Sequence, residues 1–317
     1  MPLTDKATVA TRKYLLPTIV DNIYNSNALF VRFRNKKRIL DGGNQIEQPV
    51  LYDKPTAQTF SGYDTLNMNP VEDMTAAFYN WAMYQVPVMI SGTEDLNNSG
   101  KYAMVNQLTL ACQNAEQALK DKMGTDLFAA SSGANDIVGI LAYVDSGTNT
   151  ATYASIDRTT YTWWAAKYGA NAAVGRQLTA YLIQNMFGQC SIDNNQPDLL
   201  VTDQSVVNKM MLMQDGKQFF TQDTSNLAPV SFQNLVYKGR PVVVDSHITT
   251  PNSLSQIYFL NERTIDLYVH KDCDFFLRPF REPFNQFVIA SQIMWRGQLV
   301  GNQPRLNGRL IDIDPTL

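Results

Sequence analysis

The clearest periodic pattern along the chain is helical. From about Gly100 to Met123, with Ser99 placed to cap the first turn, apolar residues recur at intervals of three and four positions: Val105, Leu108, Cys112, Ala115 and Leu119. This spacing puts them on one face of a helix. At 1.5 Å per residue the helix is roughly 36 Å long. A single apolar stripe on so long a helix predicts that it packs against a sheet or another element.

The segment from Asp41 to about Ile90 has no helical pattern. It contains residues that interrupt any continuous helix, namely Pro49, Pro55, Gly62, Pro70 and Pro87. Apolar alternation at Ile46, Val50 and Tyr52 indicates one strand, and the aromatic run Phe78–Val86 indicates a second. A two-stranded ribbon is marginally stable alone in water. The sequence therefore predicts a projecting ribbon that lies on another subunit.

Residues 1–44 are predicted to form an arm. Apolar residues between Tyr14 and Ile23 indicate one short amphipathic helix. Five basic residues follow within seven positions: Arg32, Arg34, Lys36, Lys37 and Arg38. Such a run is either a solvated strand or loop, or a contact with acidic surfaces of neighbours, with nucleic acid or with a scaffold.

An α/β pattern occupies the second half of the chain. The expected elements, in order, are a helix from Val174 to Phe187, a buried strand Asp198–Thr202, a helix opened by Asp203, a hairpin turning at Lys238-Gly239, a hairpin turning at Asn261-Glu262, and strands Phe287–Ala290 and Ile293–Trp295. The predicted class is therefore α+β, and 317 residues allow about two domains.

Composition narrows the function classes. Lys and Arg total 26 against 29 Asp and Glu, so the net charge is −3, whereas a nucleic-acid-binding protein usually has a basic excess. A container for DNA gains from a wall that is near neutral or acidic. The three cysteines are far apart, which indicates a reducing compartment. We see no signal segment and no long apolar run, so neither secretion nor membrane insertion is expected.

Catalytic motifs are weak. Asp245-Ser246-His247 combines three triad residue types, but neighbours on a strand alternate faces and do not converge. His270 and Cys273 have the spacing of half a zinc site without its other half. Gly100-Lys101 is followed by Tyr102, where a phosphate loop needs Ser or Thr. The aromatic cluster at Trp163-Trp164 is expected to pack in a core or an interface and not to stack on nucleic-acid bases, because no basic groove accompanies it. We therefore predict no enzymatic activity, no metal and no cofactor.

Several segments, taken in order, carry a family resemblance over nearly the whole chain: Ala76–Trp81, Val86–Gly92, Asn98–Lys101, Gly139–Leu141, Ile156–Arg158 with Trp163-Trp164, Pro197–Thr202, Tyr237–Val243, Tyr258–Asn261 and Gln286–Gly297. In this order they resemble the major capsid proteins of tailed bacteriophages with the Hong Kong 97-type fold. The resemblance implies an N-terminal arm (1–44), an extended E-loop hairpin (45–92), a peripheral domain with a long spine helix (93–170), an axial α/β domain (171–275) and C-terminal strands that return to the peripheral domain (276–317).

The implied function is structural. Such subunits self-assemble into hexamers and pentamers of an icosahedral or prolate shell around double-stranded DNA, which they contact non-specifically. A scaffold and a portal are expected partners, with a decoration protein as a further candidate. The expected location is the virion, after synthesis and assembly in the host cytoplasm. Some relatives crosslink a loop lysine to a neighbour's asparagine; Lys54 lies near the bend of the ribbon, but we identify no matching asparagine and acid.

Inter-subunit contacts are expected at two sets of residues. The arm supplies Arg32, Arg34, Lys36, Lys37 and Arg38, and the ribbon supplies Tyr52, Lys54, Phe60, Tyr63, Phe78, Trp81 and Tyr84. Two alternatives stay open. An encapsulin-like compartment shell would hold cargo enzymes in place of nucleic acid. A small-molecule enzyme of α/β type would be a compact monomer that turns over a substrate.

Overall fold

The computed structural model describes residues 18–19, 27–65, 69, 72–93, 101–129, 133, 135–213, 235–248, 250, 253–283 and 286–317, with the backbone alone described at position 28 and at 101–108. The predicted helix between Tyr14 and Ile23 and the predicted cap Ser99 therefore lie outside, or almost outside, the described residues. No helix in the described ranges is long and apolar enough to cross a membrane.

The described helices are α1 (Ala28–Arg34), α2 (Lys101–Leu127), α3 (Ile140–Tyr143), α4 (Ala180–Gln189) and α5 (Gln204–Met213). The strands are β1 (Arg38–Leu40), β2 (Gln45–Leu51), β3 (Met74–Asn80), β4 (Ala82–Ser91), β5 (Thr152–Tyr153), β6 (Ile156–Asp157), β7 (Lys167–Gly169), β8 (Leu199–Thr202), β9 (Leu235–Tyr237), β10 (Arg240–Val244), β11 (Ser255–Leu260), β12 (Ile265–His270), β13 (Phe276–Leu277), β14 (Val288–Gly301) and β15 (Gly308–Ile313). The predicted α+β class is confirmed.

The five-stranded sheet is built around β14. This strand pairs antiparallel with β4 over ten residue pairs, and with β12 and β13 elsewhere along its length. Strand β1 adds to β12 in parallel. Alternate residues of β4 are buried, including Val88 and Ile90, and this buried face packs against α2. The burial follows from the two-residue period of a strand with one covered face.

The six-stranded sheet has the order β7-β15-β11-β8-β10-β9. Its central strand β8 is buried at every position, because both of its faces are covered. Leu200 belongs to a core formed with α4 and α5, whereas Leu199 and Val201 join the large core that α2 shares with the other sheet. A strand covered on both faces is expected to be continuously apolar, as this one is.

Helix α2 confirms the predicted spine and extends four residues further, to Leu127. Cys112, Ala115 and Leu119 are buried as the stripe predicts. Gly139 lies against the end of this helix, where an added Cβ would come within 2.5 Å of the Asp126 carbonyl oxygen. Only glycine therefore permits so close an approach of the following loop.

A junction of buried polar groups separates the two sheets and explains one wrong prediction. Strands β11 and β12 do not form a hairpin, because they belong to different sheets. The backbone N–H of Asn261 donates to Asn307 Oδ1 at 2.7 Å, and Asn307 Nδ2 donates to Thr264 Oγ1 at 2.9 Å. These bonds hold a 3-10 turn, Glu262–Thr264, that carries the chain from one sheet into the other.

Three further predicted boundaries are corrected. The helix expected from Val174 begins only at Ala180, where Thr179 caps it, and Val174 itself is exposed. The two strands predicted after Phe287 form one strand, β14. The basic run predicted as strand or loop lies partly in α1, whose apolar residues Leu29, Phe30 and Phe33 are buried. The hairpin at Lys238-Gly239 and the helix after Asp203 are confirmed.

Candidate inter-subunit surface

The ribbon consists of β2 and β3, which pair antiparallel from Gln45↔Asn80 to Leu51↔Met74. The predicted single strand Phe78–Val86 is therefore wrong, because the chain leaves the ribbon at Trp81 and continues as β4 in the five-stranded sheet. The reason is packing that a local pattern does not reveal. Aromatic and β-branched residues suit both strands equally well.

The base of the ribbon is anchored within the chain. Ile46, Ala77 and Tyr79 are buried, and the Tyr79 hydroxyl donates to the carbonyl of Gly301. Phe78, which was expected at a subunit contact, is half-buried, and its backbone N–H donates to Ala154 O at 3.0 Å. The base therefore has little surface to offer to another molecule.

Two of the expected contact residues are buried inside the chain. Trp81 is 4% exposed and Tyr84 is 7% exposed. The Tyr84 hydroxyl donates to Asp126 Oδ2 at 2.6 Å and accepts from the Ile137 N–H at 2.9 Å. Burial and the bond to Asp126 raise the pKa of Tyr84. Both residues therefore belong to the core of the subunit, and not to the exposed ribbon surface on which the sequence analysis expected them.

The tip of the ribbon, residues 52–73, carries the exposed apolar side chains. Phe60 is 68% exposed and Tyr63 is fully exposed, as are large parts of the flanking Leu51 and Met74. Lys54 is exposed as well. Tyr52 is the exception, because its ring stacks on Trp163 with centroids 5.2 Å apart. Exposed apolar residues also occur elsewhere on the subunit, for example Met89 and Phe287, so the tip is one of several surfaces of this kind.

The tip is also acidic. Between positions 52 and 73 the sequence has four carboxylates, Asp53, Asp64, Glu72 and Asp73, and the single lysine Lys54. No ion pair involves these carboxylates within the described part of the chain. An apolar, negatively charged tip therefore has no complementary surface among its described neighbours.

The basic run of the arm, in contrast, is largely matched within the chain. Arg32 and Lys36 both pair with Glu262. Lys37 Nζ lies 2.6 Å from Asp274 Oδ2, and Arg38 lies 3.1 Å from Asp266 Oδ2. Arg34 is half-buried. These contacts fasten α1 and β1 to the strand β12 and its flanking turns. Acidic partners of this run therefore exist in the subunit itself, while a contact of the run with a neighbour stays a prediction.

A groove of about 540 Å³ lies on the face of the five-stranded sheet away from α2. It is lined by Pro87, Met89, Phe276, Arg278, Pro279, Arg281, Glu282, Pro283, Ala290, Ser291 and Gln292. Met89 and Phe276 are exposed. Arg278 and Arg281 are exposed too, and neither forms an ion pair with any described residue. This groove was not predicted from the sequence, although the alternation along β4 and the Pro- and Arg-rich segment 278–283 are signals of it.

Solved structures share this architecture. The capsid protein of cyanophage A-1(L) aligns over 90% of this chain and 93% of its own, with a TM-score of 0.67 and 17% identity. The capsid protein of a native GTA particle covers 89% and 90%, with a TM-score of 0.61 and 13% identity. The chain has the Hong Kong 97-type fold. In the terms of that fold, the ribbon is the E-loop and α2 is the spine helix.

The Hong Kong 97-type fold is also shared by shells that are not named as phage capsids. A holo-encapsulin complex from Synechococcus elongatus PCC 7942 aligns over 90% of this chain and 89% of its own, with a TM-score of 0.58 and 9% identity. No model of a known protein family matches the sequence, and no curated protein matches it. At these identities the likeness establishes the fold, and the structures that share it are shells of repeated subunits.

Proposed function

We propose that this chain is the major capsid protein of a tailed bacteriophage, a structural subunit that assembles into hexamers and pentamers of a DNA-filled shell. The observation that carries the proposal is the E-loop tip, which exposes Phe60 and Tyr63, is acidic, and has no ion-pair partner for its carboxylates among the residues that the structure describes. A surface of this kind gains free energy by being buried on another copy. The likeness to the cyanophage and GTA capsid proteins supports the same conclusion.

The surface that would receive the tip is the groove lined by Arg278 and Arg281. The tip has a net charge of −3 between positions 52 and 73, while the groove is lined by Arg278, Arg281 and one glutamate, Glu282. Exposed Met89 and Phe276 match the apolar Phe60 and Tyr63 of the tip. Complementary charge steers the encounter and fixes its register, and apolar burial supplies most of the affinity. We therefore infer that the groove of one subunit binds the tip of its neighbour.

The remaining roles follow from the same proposal. The shell encloses double-stranded DNA and contacts it non-specifically, in agreement with a net charge of −3 for the chain. A scaffold and a portal take part in assembly, with a decoration protein as a further candidate, and the mature location is the virion after assembly in the host cytoplasm. We also keep the proposed division of the chain into an arm (1–44), the E-loop (45–92), a peripheral domain (93–170), an axial domain (171–275) and C-terminal strands (276–317). Within the E-loop range the two-stranded ribbon ends at Asn80, because β4 belongs to the five-stranded sheet.

A hairpin replacement tests the proposal directly. Leu51 and Met74 are paired residues of the ribbon, so residues 52–73 can be replaced by Asn-Gly, which favours a two-residue turn between antiparallel strands. This change keeps β4 and the buried ribbon base, which a deletion of 45–91 would destroy. We expect the wild-type chain to form closed particles by electron microscopy and the variant to remain folded subunits or capsomers. Closed particles from the variant would contradict the proposed role of the tip.

The encapsulin alternative has a specific observation in its favour, the likeness to the Synechococcus complex. The content of the particles distinguishes the two. We expect particles assembled in cells with the neighbouring reading frames to protect nuclease-resistant DNA. Particles that contain a folded cargo enzyme and no DNA would replace the capsid proposal by the encapsulin one. A soluble monomer that turns over a small molecule would contradict both.

A further inference from the structure

The ribbon joins the five-stranded sheet through two short connections. The first, residues 41–44, contains Gly42 with φ +154° and Gly43 with φ +109°. Such angles are strained for any residue with a Cβ, so this connection depends on glycine. The second is the single residue Trp81, which lies between β3 and β4. The direction of the ribbon is therefore set over a few residues.

The Trp81 side chain links the two connections. Its indole Nε1 donates to the carbonyl oxygen of Gly43 at 3.0 Å. The Arg296 guanidinium lies over the indole ring, 4.7 Å from the centroid, and its Nη2 lies 3.5 Å from the same Gly43 oxygen. The His270 ring packs against the indole in an edge-to-face arrangement, with the ring centroids 6.0 Å apart. One buried ring therefore contacts the first connection, β14 and β12 together.

We propose that Trp81 acts as a clasp that fixes the angle between the ribbon and the five-stranded sheet. Without the indole N–H, the Gly43 carbonyl keeps only the long Arg296 contact, and the two glycines leave the first connection free to rotate. The ribbon base would then keep its other anchors, such as the Tyr79 hydroxyl on the Gly301 carbonyl, but both ribbon strands would open at the base more often, so that their amides exchange faster and the angle of the ribbon varies more. If ribbons reach neighbouring subunits, as the proposed function requires, this angle also sets the curvature of the shell.

Trp295 provides a matched control. It lies in β14, is 1% exposed, and its indole nitrogen has no hydrogen-bond partner among the described residues. Replacing either tryptophan by phenylalanine removes the same atoms from a buried site. Only Trp81→Phe removes a hydrogen bond between the two connections. Differences between the two variants therefore report the clasp and not the loss of volume.

Hydrogen exchange of the unassembled subunit tests the clasp without requiring shells. In Trp81→Phe we expect amides of Gln45–Leu51 and Met74–Asn80 to exchange about tenfold faster, a change equivalent to about 1.4 kcal/mol. Amides of the six-stranded sheet should be unaffected. In Trp295→Phe any acceleration should spread over the five-stranded sheet without favouring the ribbon. Arg296→Gln, which keeps the indole bond, should accelerate the same ribbon amides by less. Unchanged ribbon exchange in Trp81→Phe, or the same pattern in both tryptophan variants, would overturn the proposal.

Electron microscopy tests the consequence for curvature. We expect Trp81→Phe particles to show a broader distribution of diameters than wild-type and Trp295→Phe particles. Uniform particles of wild-type diameter from Trp81→Phe would refute the link between the clasp and curvature. If the wild type forms no particles at all, the proposed function fails, while the exchange measurement still decides whether Trp81 is a clasp.

Discussion

Phe60 offers the most quantitative test of the E-loop tip. A phenylalanine buries about 150–250 Å² when it is fully enclosed, and 68% of Phe60 is exposed in the free subunit. About 100–170 Å² is therefore available to a neighbour. At about 25 cal/mol per Å² this area contributes about 2.5–4 kcal/mol. Ordering the side chain costs about 0.5–1.5 kcal/mol, which leaves about 1–3.5 kcal/mol per contact.

Phe60→Ser should remove most of this contribution. Since each 1.4 kcal/mol is a factor of ten, the subunit concentration at which particles appear should rise by at least about fivefold and by up to about 300-fold. Light scattering over a dilution series of purified subunits measures this concentration. Phe60→Met, which keeps an apolar side chain of similar length, is the matched control and should shift the concentration by less than about fivefold.

The fold of the subunit should be unaffected, because Phe60 is largely exposed and far from the core. Urea unfolding of unassembled Phe60→Ser should have the wild-type midpoint. If Phe60→Ser subunits assemble at the wild-type concentration in the same salt, the tip does not bury this residue on a neighbour, and the reasoning from its exposed area is refuted.

Three further predictions follow from the geometry. The double variant Arg278→Glu/Arg281→Glu should weaken assembly, and so should Glu72→Lys/Asp73→Lys, because each places like charges on the tip and the groove. Combining all four substitutions should restore assembly, since the charges are then complementary again. If sedimentation assays show no such rescue, the contact between tip and groove is contradicted. Tyr84→Phe leaves the buried Ile137 N–H without its 2.9 Å acceptor and should lower the free energy of unfolding by about 2 kcal/mol in urea, whereas the exposed Tyr63→Phe should change nothing; equal midpoints for both variants would contradict this. In the native subunit a thiol reagent should label half-buried Cys273 before the buried Cys112 and Cys190, because burial raises the pKa of Cys112 to about 11 and that of Cys190 to about 12. Labelling of Cys273 should become faster as the pH rises, since the thiolate is the reactive form. Mass spectrometry identifies the labelled residue, and labelling of Cys190 at the rate of Cys273 would show that the core opens.

Much of the fold could be predicted because many elements have a local signal. The stripe through Cys112, Ala115 and Leu119 predicted α2, and the apolar run before Asp203 predicted β8 and α5. Local sequence patterns failed to predict the structure where contacts between distant residues determine which strands pair. Nothing in the aromatic run Phe78–Val86 shows that β14 pairs only with the part after Trp81. Similarly, Asn261 looks like a turn residue, and only the distant Asn307 shows that this turn leads into another sheet.

The candidate site was predictable in part for the same reason. Exposed Phe60, Tyr63 and Lys54 could be placed on the tip because prolines and glycine exclude a helix there. The groove could not be predicted, because Met89 lies in β4 whereas Phe276 and Arg281 lie in a segment much later in the chain, and only the sheet brings the two together. Trp81 and Tyr84 are buried where they bond to Gly43 and Asp126, respectively. These partners are distant in the sequence, so no local pattern indicates the burial.

The near continuity of β3 and β4 has a mechanical consequence. From Met74 to Ser91 the chain is extended except at Trp81, and the second half pairs with ten consecutive residues of β14. A force on the tip is therefore transmitted along β4 into its pairing with β14. All ten residue pairs then resist the sliding of one strand past the other at the same time, and they do not open one after another. An outward pressure that stretched adjoining subunits would load this seam in shear, the direction in which a paired strand is hardest to extract.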